Sequence, residues 1–180
     1  MKAAMLILFL TANLFLPVNS FALKNCDIGE SDTQPPNSLS KVIIVADEYT
    51  GNNNLEMLAQ KLNDPDPFAR VEAVQVLGEI QNEQSLNLVF DCLADENFYV
   101  RAYAAEALGK IGQIDIDITL LRLFSNLDDP SPYVRAMMVE ALAELQDKRA
   151  VNPIKKLLED EDESVRKMAV WALKNIEESQ

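Results

Sequence analysis

Arginine and aspartate recur in step through the C-terminal two thirds of the chain. Arg70, Arg101, Arg135 and Arg166 stand 31, 34 and 31 residues apart, and six residues before each is an aspartate: Asp64, Asp95, Asp129 and Asp160. A row of guanidinium groups could bind anions, since each presents a rigid fork of N–H donors to a carboxylate or phosphate. A catalytic residue, however, is needed once, and both residue types here recur four times at one spacing. The pattern reads as a structural ladder, with each arginine pairing to aspartates in the turns of stacked units.

Other chemistry finds little to work with. The sequence contains no histidine, the commonest general base and the commonest metal ligand. Cys92 therefore has no imidazole to activate it as a nucleophile. The acidic run "EDEDES" (159–164) lacks the alternating ligands and turn glycine of a calcium loop, and reads as a solvated, helix-capping segment. There is no glycine-rich phosphate loop. The expectation is a non-catalytic chain with no metal and no cofactor.

The elements that carry the ladder follow from the columns around it. Four residues before each arginine come Asp66, Asn97, Ser131 and Asp162, all favoured at helix N-caps, and Pro67 and Pro132 follow two of them. After each arginine the apolar positions fall on one helical face. Three residues on are Ala73, Ala104, Met138 and Ala169; seven on, Leu77, Leu108, Leu142 and Leu173; ten on, Ile80, Ile111, Leu145 and Ile176. An earlier helix in each unit begins its stripe at Leu55, Leu86, Leu120 or Val151 and ends it at Leu62, Leu93, Leu127 or Leu158. The unit is helix, acidic turn, helix, four times over, at approximately 54–81, 82–112, 113–146 and 147–178. The extra residues of the longer interval fall in "GQIDID" (112–117). One unit cannot bury its apolar face alone, but four stacked units share a continuous core.

The segments "DPDPFARVEAVQVLGEI", "DENFYVRAYAAEALGKI", "DDPSPYVRAMMVEALAEL" and "DEDESVRKMAVWALKNI" resemble HEAT repeats of the short type found in phycobilin lyases. The resemblance covers about residues 54–178. It implies an all-α fold, a right-handed α-solenoid of four repeats whose second helices line the concave face. It does not fix a function, because such arrays mostly serve as binding surfaces. HEAT-like deoxyhypusine hydroxylases hold iron through His-Glu motifs, which this chain does not contain, and HEAT-like DNA glycosylases use a basic groove. A role like that of chromophore lyase subunits, or of a structural assembly subunit, stays open as an alternative.

What varies between repeats points to a partner. Positions −2, +2, +5 and +9 from the arginine share one helical face that the framework leaves unassigned. By repeat they read Phe68, Glu72, Gln75, Glu79; Tyr99, Tyr103, Glu106, Lys110; Tyr133, Met137, Glu140, Glu144; and Ser164, Met168, Trp171, Asn175. Aromatics and methionines set among acids have the composition of a protein- or peptide-binding groove. The candidate partner-binding residues are Tyr99, Tyr103, Glu106, Tyr133, Met137, Glu140, Met168 and Trp171. Their acidity selects a protein or peptide with basic segments. The competing reading is that the −2 aromatics pack on neighbouring helices and Trp171 covers the end of the array.

The N-terminus reads as an export signal. Lys2 precedes a 14-residue apolar run (3–16), Pro17 ends it, and "SFA" (20–22) offers small residues before a cleavage point. The run is shorter than the ~20 residues that span a bilayer, so cleavage would leave no stable membrane insertion. Residues 1–22 are thus a signal peptide, and 23–53 a polar segment around the short apolar run "KVIIVAD", extended or helical. The expected location is the periplasm or the exterior. There Cys26 and Cys92 can form a disulfide or remain independent thiols, since the sequence fixes no distance between them.

Composition agrees with these bounds. The 180 residues are 48% hydrophobic, with 29 acids against 16 bases and a formal charge of −13. A surface of that sign repels phosphate backbones, so nucleic acid is not an expected partner.

Overall fold

The computed structural model describes residues 52–178, and in that span the chain runs as four successive helix pairs. The signal reading of residues 1–22, Cys26 and the "KVIIVAD" run all lie outside the described residues. The first helices are α1 (Asn52–Lys61), α3 (Glu83–Cys92), α5 (Ile116–Phe124) and α7 (Val151–Lys156). The second helices are α2 (Pro67–Ile80), α4 (Phe98–Ile111), α6 (Pro132–Glu144) and α8 (Glu163–Glu178). Short 3₁₀ turns at Gly112–Asp115, Lys148–Ala150 and Leu157–Glu159 complete the connections. Among the described residues there is no strand, and no helix is long and apolar enough to cross a membrane.

Each second helix starts on a short polar side chain. The carboxylate of Asp66 accepts from Phe68 N at 3.0 Å, Asn97 accepts from Tyr99 N at 2.9 Å, and Asp162 accepts from Ser164 N at 2.8 Å. Ser131 occupies the same position, but its side chain makes no capping bond. At the other end of α2, Gln81 enters the left-handed region at φ 44, ψ 49, which turns the chain back into α3.

α2, α4, α6 and α8 stack side by side, each packed on the next, and the first helices flank them. Close approach depends on small residues in the seams. A Cβ added to Gly78 would stand 3.0 Å from the Ala107 Cβ, and one added to Gly109 would stand 3.2 Å from the Ala141 Cα. One core runs the length of the array, from Leu58 and Leu77 through Leu108, Met138 and Leu142 to Ile176. The central helices are buried nearly all round: in α6 every residue from Tyr133 to Ala143 is covered.

The arginines tie this stack together across the turns. Arg70 donates from Nε and Nη2 to the two carboxylate oxygens of Asp95, at 2.9 and 2.8 Å. Arg101 makes the same fork with Asp129, at 2.7 and 2.9 Å, and Arg135 with Asp160, at 2.9 and 2.8 Å. The third nitrogen, Nη1, turns back to the carbonyl of the aspartate in its own repeat: Asp64 for Arg70, Asp95 for Arg101, Asp129 for Arg135 and Asp160 for Arg166. Each aspartate also accepts the N–H two residues on, at 2.8–2.9 Å. One residue thus shapes its own turn and holds the preceding repeat. The guanidinium groups of Arg70, Arg101 and Arg135 are held above their ordinary pKa, chiefly by these hydrogen bonds.

Candidate functional site

The variable stripe divides between core and surface. Tyr99, Tyr133, Met137, Glu140 and Met168 are each at most 5% exposed. For the four apolar or aromatic members this corrects the expectation of a groove-lining role. The helices of Tyr99, Tyr133 and Met137 are flanked on both sides in the stack, so an apolar side chain on this face is covered by the next repeat; Met168 is covered on α8, which packs on α6 and α7. The −2 aromatics form a run along the stack: Phe68 to Tyr99 and Tyr99 to Tyr133 are each 6.1 Å between ring centres, the second pair edge to face. Phe98 joins it, 4.1 Å from Tyr99 and at 90° to Tyr133.

Trp171 is half-buried and lies apart from the acidic members. It shares a shallow depression on α8 with Glu163, Arg166, Lys167, Val170 and Lys174. At the position of Val170, the earlier repeats carry Val74, Ala105 and Val139, all fully covered, whereas Val170 is 60% exposed. Arg166 lacks the aspartate fork of its counterparts, and lysines replace small residues around it. Val170 and Trp171 thus lie among charged side chains on the outer face of the last described repeat.

What remains together is a polar cluster across α2, α4 and α6. The Lys110 ammonium stands 2.9 Å from Glu79 Oε1 on α2 and 3.3 Å from Glu106 Oε1 one turn back on its own helix. Burial pulls the Lys110 pKa down, but Glu106 and Glu79 outweigh it and the net shift is upward. The other oxygen of Glu106 and the Oε2 of Glu140 are both buried with no hydrogen-bond partner. Burial, reinforced by Glu144 and Glu106, pushes Glu140 up to about 8. Glu144 keeps an exposed edge. Its carboxylate nevertheless lies on the bare backbone of Gly109, where an added Cβ would collide with it. Burial there, together with Glu106, raises it to about 7, against the opposing pull of Lys110. The Tyr103 hydroxyl is raised to about 12 by burial, then by Glu106 and Tyr99, so it stays protonated.

Of the sequence candidates, Tyr103, Glu106 and Glu140 therefore meet at one place. Three members were outside the candidate list. Glu79, Lys110 and Glu144 all stand at the +9 position, and Gly109 precedes one of them; a glycine recurring there in two repeats was the available signal. Among the described residues, no group of three or more His, Cys, Asp or Glu is placed to hold a metal ion. Cys92 is buried with a free thiol that donates to the Leu88 carbonyl at 3.3 Å, and burial raises its pKa to about 12.

A family model for HEAT repeats matches residues 55–122 and 120–180. A comparison with curated proteins finds no match. Solved structures agree on the fold. The complex of CpcE and CpcF of phycocyanin lyase from Nostoc sp. PCC7120 aligns with a TM-score of 0.63 and 20% identity, over 74% of this chain and 89% of that one. Human deoxyhypusine hydroxylase in complex with glycerol aligns with a TM-score of 0.59 and 21% identity, over 69% of this chain. This chain spans 43% of the hydroxylase, under half its length. An engineered protein aligns with a TM-score of 0.56 and 20% identity, over 87% of this chain and 78% of that one. With its model matched through both halves of the array, the chain belongs to the HEAT-repeat family.

Proposed function

We propose that this protein is an exported, non-catalytic scaffold that binds a protein or peptide with basic segments on the exposed face of its second helices. The observation that carries this reading is the cluster around Glu106, Glu140 and Glu144. It sets Glu79, Glu106 and Glu144 against the single ammonium of Lys110, with Glu140 covered beside them and the half-buried ring of Tyr103 alongside. Acids on a preformed surface favour cationic partners and speed their approach. Export rests on the N-terminal pattern of residues 1–22. The non-catalytic reading is supported by the absence of histidine and by a Cys92 thiol that stays protonated at neutral pH.

Capture of partners from an envelope fraction by the purified protein tests the scaffold. Tyr103→Ala combined with Glu144→Lys should abolish the capture, and unchanged capture would remove the reading. Mass spectrometry of the mature N-terminus tests export: a retained Met1 would refute it. The likeness to the CpcE and CpcF complex, covering 89% of that chain, favours a second reading as a lyase-like subunit acting on a modified protein. A pigment absorbance band in the protein purified from its source would select that reading.

A further inference from the structure

We infer that the outer face of α8 around Arg166 docks an acidic segment of a partner protein, with one aspartate carboxylate held between Nε and Nη2 of Arg166. The site lies on the last described repeat, apart from the Glu106–Glu144 cluster, and takes a chemistry opposite to the one that cluster selects.

The chain itself shows three times what this guanidinium receives. Arg70, Arg101 and Arg135 each give Nε and Nη2 to the two oxygens of one aspartate, at 2.7–2.9 Å. In two of the three, the next residue adds a second acid: Glu96 Oε1 is 3.6 Å from Arg70 Nη2, and Glu161 Oε1 is 3.6 Å from Arg135 Nη2. Arg166 is anchored in the same way, with Nη1 on the carbonyls of Asp160 and Glu161. Among the described residues, its Nε and Nη2 meet no carboxylate. The nearby acids are committed elsewhere, Asp160 to Arg135 and Glu163 to Lys167, each at 2.8 Å. A planar fork held from behind by two carbonyls is preorganised for a carboxylate.

The surroundings decide what kind of segment fits. Arg166 shares its shallow depression with Glu163, Lys167, Val170, Trp171 and Lys174, three cations against one acid in a chain of 29 acids and 16 bases. Lys167 and Lys174 are exposed and can meet acids that flank the first. The exposed Val170 and the half-buried Trp171 ring supply an apolar floor. A further repeat packed as tightly as the internal ones does not fit. Lys174 occupies the column of Gly78 and Gly109, where even a Cβ would stand 3.0–3.2 Å from an alanine of the next helix. The occupant is therefore an extended or turn segment, not another helix of the stack. Its signature is an aspartate, a second acid beside it and an adjacent apolar side chain.

Trp171 is the only tryptophan in the chain, so its fluorescence reports on this site directly. The probe is the acetylated, amidated hexapeptide Leu-Ala-Asp-Glu-Asn-Phe, residues 93–98 of this chain, whose Asp95 and Glu96 meet Arg70 in the array. Titrated into the full chain at low salt, it should shift Trp171 emission and saturate below about 10 mM. The same peptide with Asp95→Asn should bind about tenfold more weakly. Arg166→Ala and Arg166→Lys should each lose about tenfold, the second because an ammonium cannot make the two-pronged contact. Circular dichroism checks that both variants stay folded, and the peptide pair tests the same contact in the unaltered protein. Full affinity in Arg166→Lys, equal binding of the two peptides, or no saturable shift in emission would overturn the docking site. Displacement of the peptide by an equal concentration of inorganic phosphate would also overturn it, since the face would then take any anion. An emission that varies with protein concentration in the absence of peptide would put a second copy there instead.

Discussion

Arg101 on α4 grips Asp129 in the following repeat with two N–H groups, Nε at 2.7 Å and Nη2 at 2.9 Å. Asp129 is itself buried and spends one oxygen on the N–H of Ser131, at 2.8 Å. The pair therefore fixes the turn and the stacking of two repeats at once. The same arrangement recurs at Arg70–Asp95 and Arg135–Asp160. Arg166 has the intra-repeat half only, donating to the carbonyls of Asp160 and Glu161.

Arg101→Ala should cost about 3–5 kcal/mol in denaturant unfolding, because it strands a buried carboxylate. Arg166→Ala removes hydrogen bonds to two backbone carbonyls near the end of the array and should cost only about 1 kcal/mol. Equal losses at the two positions would show that the inter-repeat fork carries no weight. The double variant Arg101→Met, Asp129→Leu should recover much of the single-variant loss, since it removes both charges together.

The seams give a second prediction, of opposite sign to helix propensity. Glycine inside a helix costs about 1 kcal/mol relative to alanine, so Gly78→Ala and Gly109→Ala would stabilise an isolated helix. In the array the new methyl meets the Ala107 Cβ at 3.0 Å and Cα at 3.3 Å in the first case. In the second it meets the Ala141 backbone at 3.2 Å and the Glu144 carboxylate. Both variants should lose about 1–3 kcal/mol, read as a lower thermal midpoint. A raised midpoint would mean the repeats are further apart than the structure places them.

Those seams also explain what could be read from the sequence. Repeat length, helix order and the partnership of arginine with aspartate were legible, because each was written four times in one register. The exposure of the variable stripe was not. Spacing identifies residues that share a face, but it does not say how closely the next helix approaches that face. Gly78 against Ala107 and Gly109 against Ala141 bring the helices near enough to cover Tyr99, Tyr133 and Met137. Glu140 was the hardest to place: its column holds Gln75, Glu106 and Trp171, none of them buried, and only the packing around α6 makes it different.

Stability should fall as pH rises through neutrality. Glu140 goes from an ordinary 4.5 to about 8 in the folded chain, chiefly through burial. Between those values the unfolded chain has lost the proton and the native chain keeps it, so the native state is progressively disfavoured as pH increases. Glu144 adds to the slope between 4.5 and about 7. At the acid end the order reverses. Burial alone would raise Asp160, but Arg135 and the Asp162 N–H hold it below its ordinary 3.8, and the stability it lends is lost as pH falls through that range. The maximum should therefore lie between about pH 4 and about pH 5. Glu140→Gln should flatten the decline and exceed the wild type at about pH 8.5, by on the order of 2 kcal/mol. A urea midpoint that climbs from pH 5 to pH 8 would contradict the buried position of Glu140.

Cys92 gives a kinetic test of the same packing. Its thiol is buried near the end of α3, donates to the Leu88 carbonyl at 3.3 Å, and is raised from 9.0 to about 12 by burial, with Asp95 and Asp91 adding to it. The thiolate is the reactive form, so a shift of that size leaves about a thousandfold less of it than a free cysteine would have. In a Cys26→Ser variant, reaction with Ellman's reagent should be slow under native conditions and become fast in urea, with the native rate set by opening of the α3–α4 turn. Prompt native labelling would place the thiol at the surface. A bridge between Cys26 and Cys92 would give up the thiol's hydrogen bond to the Leu88 carbonyl.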